Sequence, residues 1–500
     1  MAGETLNGLL AHGSPDSVAI AIPDGPALTY RRLGEVVEQT AHRLAELGLR
    51  RGDTIAFVLP NSVETVVLFL AAATVGTAAP LNPGYKEEEF RFYLDDTRAK
   101  ALVVRRGMSE PARRALPDGA ALIEADVASD GAVRLYASGP RARPVPASDP
   151  DPEDVALVLH TSGTTSRPKQ VPLRHRNLHF SALNIAATYG LSPPDVAFCV
   201  MPLFHIHGLM ASTMATLSSG GTVVVPPKFD PMTFWAQVDH HRATWYSAVP
   251  TMHQMLLMRN RGERPPGAQR LRFIRSSSSA LSPATMHQLE SGFGAPVLEA
   301  YGMTEASHQM ASNPLPPAER RPGTVGRQTG IDIAIMAEDD SSLLAEGEDG
   351  EVVIRGASVI DGYANNAEAN AKSFTTGWFR TGDQGRISAD GYLSLVGRLK
   401  EMINRGGEKI APREIDEVLL QHPAVGEAVA FGAPHERWGE EVVAAVVLKG
   451  EATEKDLLAF TRERLADYKV PRRLFIVEQI PRTATGKIQR RSVAAALNGK

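Results

Sequence analysis

The chain has 500 residues, 43% hydrophobic and 22% charged, a globular balance that excludes a disordered protein and predicts more than one domain at this length. Its net charge of -4 excludes a partner recruited by positive charge, whether nucleic acid or an anionic membrane. The single cysteine, Cys199, excludes an internal disulfide and a cysteine-rich metal site, and its apolar neighbours read it as a packed thiol.

The first ten residues lack a basic stretch and include Glu4, which predicts no signal peptide. No apolar run reaches the roughly 18 residues of a membrane span. The ending Asn498-Gly499-Lys500 differs from a peroxisomal address. The expected setting is the cytoplasm.

In chain order, Leu33, Val37, Ala41, Leu44 and Leu47 recur at helical spacing, with Gly48 placed to cap the helix. Residues 55–59 read as a strand, and Pro60-Asn61-Ser62 leads into a second apolar helix ending near Ala73. Strand and helix alternate, the pattern of α/β layers. The proline-rich run 137–154 reads as a surface connector. Residues 155–159 form a buried strand, 177–189 a helix, and 222–225 a strand stopped by Pro226-Pro227. Residues 273–275 and 297–299 read as two short strands. Between Arg327 and Leu395 the texture shifts to short β runs at 331–336, 351–354 and 392–396, which predicts a small barrel or twisted sheet. After Gly397 it shifts again, to a helix at 413–421, strands at 424–431 and 442–448, a helix opened by Thr453 with Asp456 in a capping box, and a strand at 474–477. These compose a small α+β unit.

The loop Thr161-Ser162-Gly163-Thr164-Thr165-Ser166-Arg167-Pro168-Lys169 follows the strand at 155–159. Small residues let backbone N–H groups approach an anion, hydroxyls donate, and the lysine adds charge, so the segment reads as a phosphate cradle. The plain alternative is a polar surface turn, and the spacing is not that of a Walker loop. The run Glu299-Ala300-Tyr301-Gly302-Met303-Thr304-Glu305 puts a glycine turn, a hydroxyl and a carboxylate at a strand end. A carboxylate beside phosphates holds Mg²⁺, and the alternative is a helix capped by Thr304. In Trp378-Phe379-Arg380-Thr381-Gly382-Asp383, the aspartate after a Thr-Gly turn suits ribose hydroxyls, or an Asx turn between strands. Gly397-Arg398-Leu399-Lys400 and Asn404-Arg405-Gly406-Gly407-Glu408-Lys409 read as a hinge, an anion contact or a linker. Pro481-Arg482-Thr483-Ala484-Thr485-Gly486-Lys487 presents a lysine to an anion from another domain, or is a solvated basic tail with Arg490 and Arg491.

In this order and spacing, these segments resemble the adenylate-forming (ANL) superfamily of acyl-CoA synthetases, adenylation domains and luciferases, from about Tyr30 to Arg491. The runs from His160 to Lys169, Pro202 to Gly208, Met303 to His308, Ser312 to Pro316, Glu401 to Ile410 and Thr485 to Arg491 look most like the oxalyl-CoA synthetases of plants and yeast. The resemblance implies the ANL fold: a large multi-lobed α/β N-terminal domain with a β-rich lobe over residues 1–396, a hinge at 397–400, and a small mobile α+β C-terminal domain over 401–500. It implies ATP, Mg²⁺ and coenzyme A as cofactors, a monomer or homodimer, and two half-reactions through an acyl-adenylate.

The residue roles follow from the resemblance. Thr161, Ser162, Gly163, Thr164, Thr165 and Lys169 would hold the β- and γ-phosphates. Thr304 would meet the α-phosphate and Glu305 the magnesium. Glu299, Ser279, Ala280, Tyr301 and Gly302 would border the nucleotide, with Asp383 and Arg398 on the ribose. Lys400 would be the hinge residue, and Lys487 would bridge carboxylate and α-phosphate. Gly406, Gly407 and Glu408 would line the thiol tunnel. His205 would be a gate near ATP, and His207, Ser277, Ser278 and His308 would line the acyl pocket.

Imidazoles and hydroxyls suit a compact, doubly charged acid such as oxalate better than a fatty chain, because they can hydrogen-bond a second carboxylate. His207 as a packed core histidine and His308 as a surface helix residue are the alternatives. Gln170 stands where many relatives carry glycine, and the segment Ser277-Ser278-Ser279-Ala280-Leu281 has serine where many superfamily members have a glycine pair. Two other readings remain open at this point. Another small acid or oxyanion could be activated and passed to an amine, a carrier-protein thiol or another nucleophile, or the fold could bind nucleotide without catalysis.

Overall fold

The structure is a computed structural model that describes residues 4–138, 144, 149–161, 168–260, 262–483 and 488–497. Ser162, Gly163, Thr164, Thr165 and Lys487 lie outside the described residues. Among the described residues no helix is long and apolar enough to cross a membrane.

Two large sheets carry the N-terminal part. One has seven strands, with Thr54–Val58, Thr77–Pro80, Ala101–Arg105, Ala121–Val127 and Val155–Thr161 parallel and an antiparallel strand at each edge. The other has nine, with Val196–Phe198, Thr222–Val224, Trp245–Ala248, Phe273–Ser276 and Val297–Met303 as its parallel centre. Parallel strands covered on both faces need near-continuous apolar runs, and Thr54–Val58, Trp245–Ala248 and Phe273–Ser276 are almost wholly buried.

The helices show how the sheets are joined. Tyr30–Glu46 is amphipathic, capped by the Thr29 hydroxyl on the Arg32 N–H at 3.2 Å. It buries Leu33, Val36, Val37, Ala41 and Leu44 and leaves its other face to water. Val63–Val75 is buried on nearly every side, as a helix sealed inside the protein must be. Its residues share one apolar core with strands of both sheets. Cys199 is fully buried in that core, which pushes its thiol up to about 11, so it is a packed thiol.

The β-rich texture after Arg327 forms a five-stranded antiparallel sheet from Asp332–Met336, Gly350–Arg355, Phe374–Thr375, Trp378–Ile387 and Leu393–Arg398. One expectation is corrected here. The Thr381-Gly382 pair is no turn between strands, because Trp378–Ile387 runs straight through it. The segment is a bulge: four steps from Arg380 to Gln384 oppose two from Val353 to Glu351. Gly382 takes φ 73°, which relieves the bulge and turns Asp383 inward, where it is 6% exposed.

The last unit has its own sheet, with Val425–His435 antiparallel to Gly439–Leu448 and Arg473–Ile476 parallel to the latter. Its side chains alternate between two cores. Ala428 and Ala430 pack with the helices Pro412–Leu420 and Glu454–Arg462, and Val429 and Phe431 with the helix Arg490–Leu497. Asp416 on Pro412–Leu420 ties this last helix down through an ion pair with Arg490 at 2.8 Å.

Candidate active site

The described site residues gather where the parallel strands of both sheets end. Thr161 closes Val155–Thr161, Ser277 to Ala280 follow Phe273–Ser276, and Thr304 and Glu305 follow Val297–Met303. The carboxyl ends of parallel strands are where α/β sheets open a crevice for ligands.

Glu305 sits on a short 3₁₀ turn, Thr304–Ala306, and is 5% exposed. Its Oε1 accepts a hydrogen bond from the Tyr363 hydroxyl at 2.8 Å and from Thr161 at 3.4 Å. Among the described residues no cation lies within ion-pair distance of this carboxylate. A buried carboxylate held, among the described residues, by two neutral hydroxyls fits a magnesium ion, which takes one or two carboxylates and keeps water and phosphate oxygens for the rest. The Lys169 ammonium lies 4.3 Å from the centre of the Tyr363 ring. Burial lowers its pKa, the Glu305 charge works against that, and nearby Lys400 adds to it. Exposed Lys400, on the turn Leu399–Glu401, therefore faces the same end of the site.

Asp383 accepts from the Tyr301 hydroxyl through Oδ2 and pairs with Arg398 through Oδ1 at 2.7 Å. These three come together from separate elements. Burial raises the Tyr301 pKa, and the Asp383 charge adds to it, so the phenol stays protonated. Glu299 lies deeper, 2% exposed, beneath the loop that carries Ser279 and Ala280. Its Oε1 accepts the Leu281 N–H at 2.9 Å, and burial lifts its carboxyl to about 7. Glu299 supports this loop from below, while Ser279 and Ala280 are exposed on it.

Gly302 differs from the expected turn. It lies within Val297–Met303, paired with Gln309 of the returning strand His308–Ser312. A Cβ there would sit 2.0 Å from the His308 carbonyl oxygen, so the glycine serves close strand approach. His308 is accordingly a strand residue, 1% exposed, and not on a surface helix.

At the other end, His207 opens the π-helix His207–Met214 and is fully buried. Its Nδ1 lies 3.0 Å from Ser278 Oγ and its Nε2 2.6 Å from Ser247 Oγ. The His308 ring packs edge-on against it, 4.9 Å between centres. Burial holds the His207 pKa well below the usual imidazole value, and His308, Arg275, His205 and His253 depress it further. The ring is neutral. Ser278 is half-buried at φ 72°, whereas Ser277 is buried and donates to the Ala300 carbonyl at 2.8 Å. His205, with Thr304, His160, Phe204 and Tyr93, lines a small cavity between the two ends.

Gly406, Gly407 and Glu408 are not brought to this crevice. They form the tip of the hairpin between Ile403–Arg405 and Glu408–Ile410, and the adjacent Lys409 pairs with Glu338 of the β-rich lobe at 2.7 Å. Several residues that touch the site escaped sequence reasoning: Tyr363, Ser247, Gln309, and Arg275 as anything more than the end of a strand. A charged residue closing an apolar strand just before a serine run was the available signal for Arg275. Tyr363 had none.

The AMP-binding enzyme model matches residues 10–364, and the AMP-binding enzyme C-terminal domain model matches 414–487. The chain is 46% identical to the oxalate–CoA ligase of Arabidopsis thaliana, over 99% of both chains. It is also 46% identical to the oxalate–CoA ligase of Saccharomyces cerevisiae, over 96% of this chain and 94% of that one. The crystal structure of ATP-bound MatB from Rhodopseudomonas palustris superposes with a TM-score of 0.89 at 30% identity, covering 99% of both chains. Fold and site together define an adenylate-forming enzyme, and the chain belongs to the AMP-binding enzyme family. Within it, the chain is an AMP-forming acid–CoA ligase that uses ATP, magnesium and coenzyme A, and transfer of the adenylate to an amine or carrier protein is not favoured.

Proposed function

We propose that the protein joins oxalate to coenzyme A through an oxalyl-adenylate, in the cytoplasm where ATP and CoA are both supplied. The observation that carries the choice of acid is the buried polar end formed by His207, Ser278, Ser247 and Arg275, which offers hydrogen bonds and positive charge where an alkyl chain would need apolar walls. The likeness to two oxalate–CoA ligases supports the same acid.

A carboxylate oxygen of oxalate attacks the α-phosphorus of ATP, and pyrophosphate leaves. The CoA thiolate then attacks the oxalyl carbonyl carbon, and AMP leaves. We assign the β- and γ-phosphates to the loop from Thr161 to Lys169, the α-phosphate to Thr304, and the ribose to Asp383 and Arg398. Ser279, Ala280, Tyr301 and Gly302 border the adenine, with Glu299 beneath. Glu305 would hold magnesium, which would supply positive charge to offset that of the phosphates. Lys487 draws the two reacting anions together. We further propose a division into residues 1–396, a hinge at 397–400 around Lys400, and a mobile domain at 401–500. Rotation of that domain would withdraw Lys487 and bring Gly406, Gly407 and Glu408 to the thiol path, past His205.

An acid-dependent pyrophosphate-release assay with ATP, Mg²⁺ and CoA tests this, using oxalate, malonate and acetate in turn. Turnover with oxalate above the others is expected, and no turnover with oxalate overturns the assignment. AMP that accumulates equally without CoA would overturn the thioester step.

A further inference from the structure

Arg275 is the third of the four residues of the strand Phe273–Ser276 and is fully buried. Its Nε donates to the Tyr189 hydroxyl at 2.8 Å and its Nη2 to Gln309 Oε1 at 3.1 Å. Its Nη1 donates to Ser247 Oγ at 3.1 Å and faces His207 Nε2 at 3.3 Å. All of these partners are neutral, and among the described residues no carboxylate lies within ion-pair distance. A buried cation without a counter-charge is heavily penalised unless an anion arrives to match it.

The hydrogen-bond directions follow from what each group can do. A guanidinium only donates, so Ser247 Oγ accepts from Arg275. The Ser247 hydrogen then goes to its other partner, His207 Nε2, 2.6 Å away. Nε2 receives this proton and also faces an N–H of Arg275, so it carries the lone pair. The single proton of the neutral ring is therefore on Nδ1, donated to Ser278 Oγ at 3.0 Å. Ser278 has accepted, and its own hydroxyl hydrogen is free to point outward.

We propose that Arg275 is a positioning residue that fixes His207 as its Nδ1–H tautomer, so that Ser278 donates its hydroxyl to the distal carboxylate of a dicarboxylate substrate, while the unmatched guanidinium charge draws that dianion into the pocket. The proposal rests on the acyl-pocket reading above for its substrate, and on this chain's own geometry for the tautomer. The charged and titratable groups facing His207 are Arg275, His205, His253 and His308, from separate elements. None is acidic, so no neighbour favours the imidazolium.

The test begins with ¹⁵N-histidine NMR of the full-length protein, His207 being assigned by loss of its signals in His207→Gln. A neutral Nδ1–H ring that does not titrate from about pH 8 to about pH 5 is expected. An Nε2–H ring, or an imidazolium in that range, overturns the proposal. Arg275→Met should let His207 titrate nearer the ordinary value of about 6.5. It should also raise KM for oxalate roughly 10- to 100-fold at about pH 8, with KM for ATP within about twofold and partial recovery near pH 6. Arg275→Lys, which keeps the charge, should recover part of the oxalate affinity. An unchanged tautomer with oxalate and ATP parameters falling together would make Arg275 a packing residue and overturn its role. If the wild type does not turn over oxalate, the function proposed above fails, while the NMR result still decides the tautomer.

Discussion

The hairpin of Val297–Met303 and His308–Ser312 separates two ends of one crevice that carry opposite charge imbalances. At its tip, Glu305 is a buried anion held by hydroxyls; beside its returning strand, Arg275 is a buried cation held by hydroxyls, an amide and an imidazole. Other buried carboxylates carry an ion pair, as Asp195 does with Arg272 at 2.6 Å and Glu441 with Arg405 at 2.6 Å. Among the described residues neither charge has an ion-pair partner, and a buried charge without one is costly, so a cation suits the Glu305 end and an anion the Arg275 end.

The largest effect is expected from removing the anionic end. Glu305→Gln keeps the acceptor for Tyr363 and discards the charge. Oxalate-dependent ATP–pyrophosphate exchange should fall roughly 10²- to 10³-fold, with KM for oxalate nearly unchanged. A change in oxalate KM with the exchange rate preserved would mean that the two ends are not distinct.

Glu299 tests the same principle through stability. Its carboxyl is raised from 4.5 to about 7 by burial, so the folded protein binds more protons than the unfolded chain between those values. Stability therefore falls as pH rises through that window, by about 3 kcal/mol at the upper end. Glu299→Gln removes this term and can still accept from Leu281. Calorimetry should show the variant melting above the wild type near pH 8, with the gap closing toward about pH 5. A gap independent of pH would show that Glu299 stays ionised.

Much of this was legible in advance, for unequal physical reasons. The alternating elements, the β-rich stretch and the capping box at Thr453 depend on periodicity and local chemistry, and each has its counterpart within a few residues. Glu305, Asp383 and Arg398 stood out because each is a charged residue in a short glycine-containing motif, Tyr301-Gly302-Met303-Thr304-Glu305, Thr381-Gly382-Asp383 and Gly397-Arg398. Their partners did not. Tyr363 is 58 residues from Glu305 and Tyr301 is 82 from Asp383, separations that no local pattern encodes. The bulge at Gly382 looked like a turn because a glycine at positive φ serves both. Arg275 was hidden because its strand was assigned by its apolar residues, and only the fold shows that no acid lies near.

Ser278→Ala probes the acyl end with a smaller expected effect. It removes the hydroxyl that would face the substrate and leaves Arg275, Ser247 and His207 in place. KM for oxalate should rise roughly tenfold while KM for ATP holds, as for the loss of one hydrogen bond to a charged group. Equal changes in both constants would place Ser278 at the nucleotide end instead.

The smallest effect separates the two jobs of Tyr363. Its hydroxyl donates to Glu305, and its ring lies under the Lys169 ammonium. Tyr363→Phe removes the first and keeps the second. The Glu305 carboxylate then loses a donor but keeps the charge that would hold magnesium in the function proposed above, so the exchange rate should fall only severalfold, by about 1 kcal/mol. Tyr363→Leu also removes the ring face, which stabilises a partly desolvated cation by roughly 0.5–2 kcal/mol. Its further loss should appear in KM for ATP, because Lys169 faces phosphate in the function proposed here. If the phenylalanine variant were as impaired as Glu305→Gln, the Tyr363 hydroxyl would be holding the carboxylate in its only productive position. The anionic end would then depend on geometry as much as on charge.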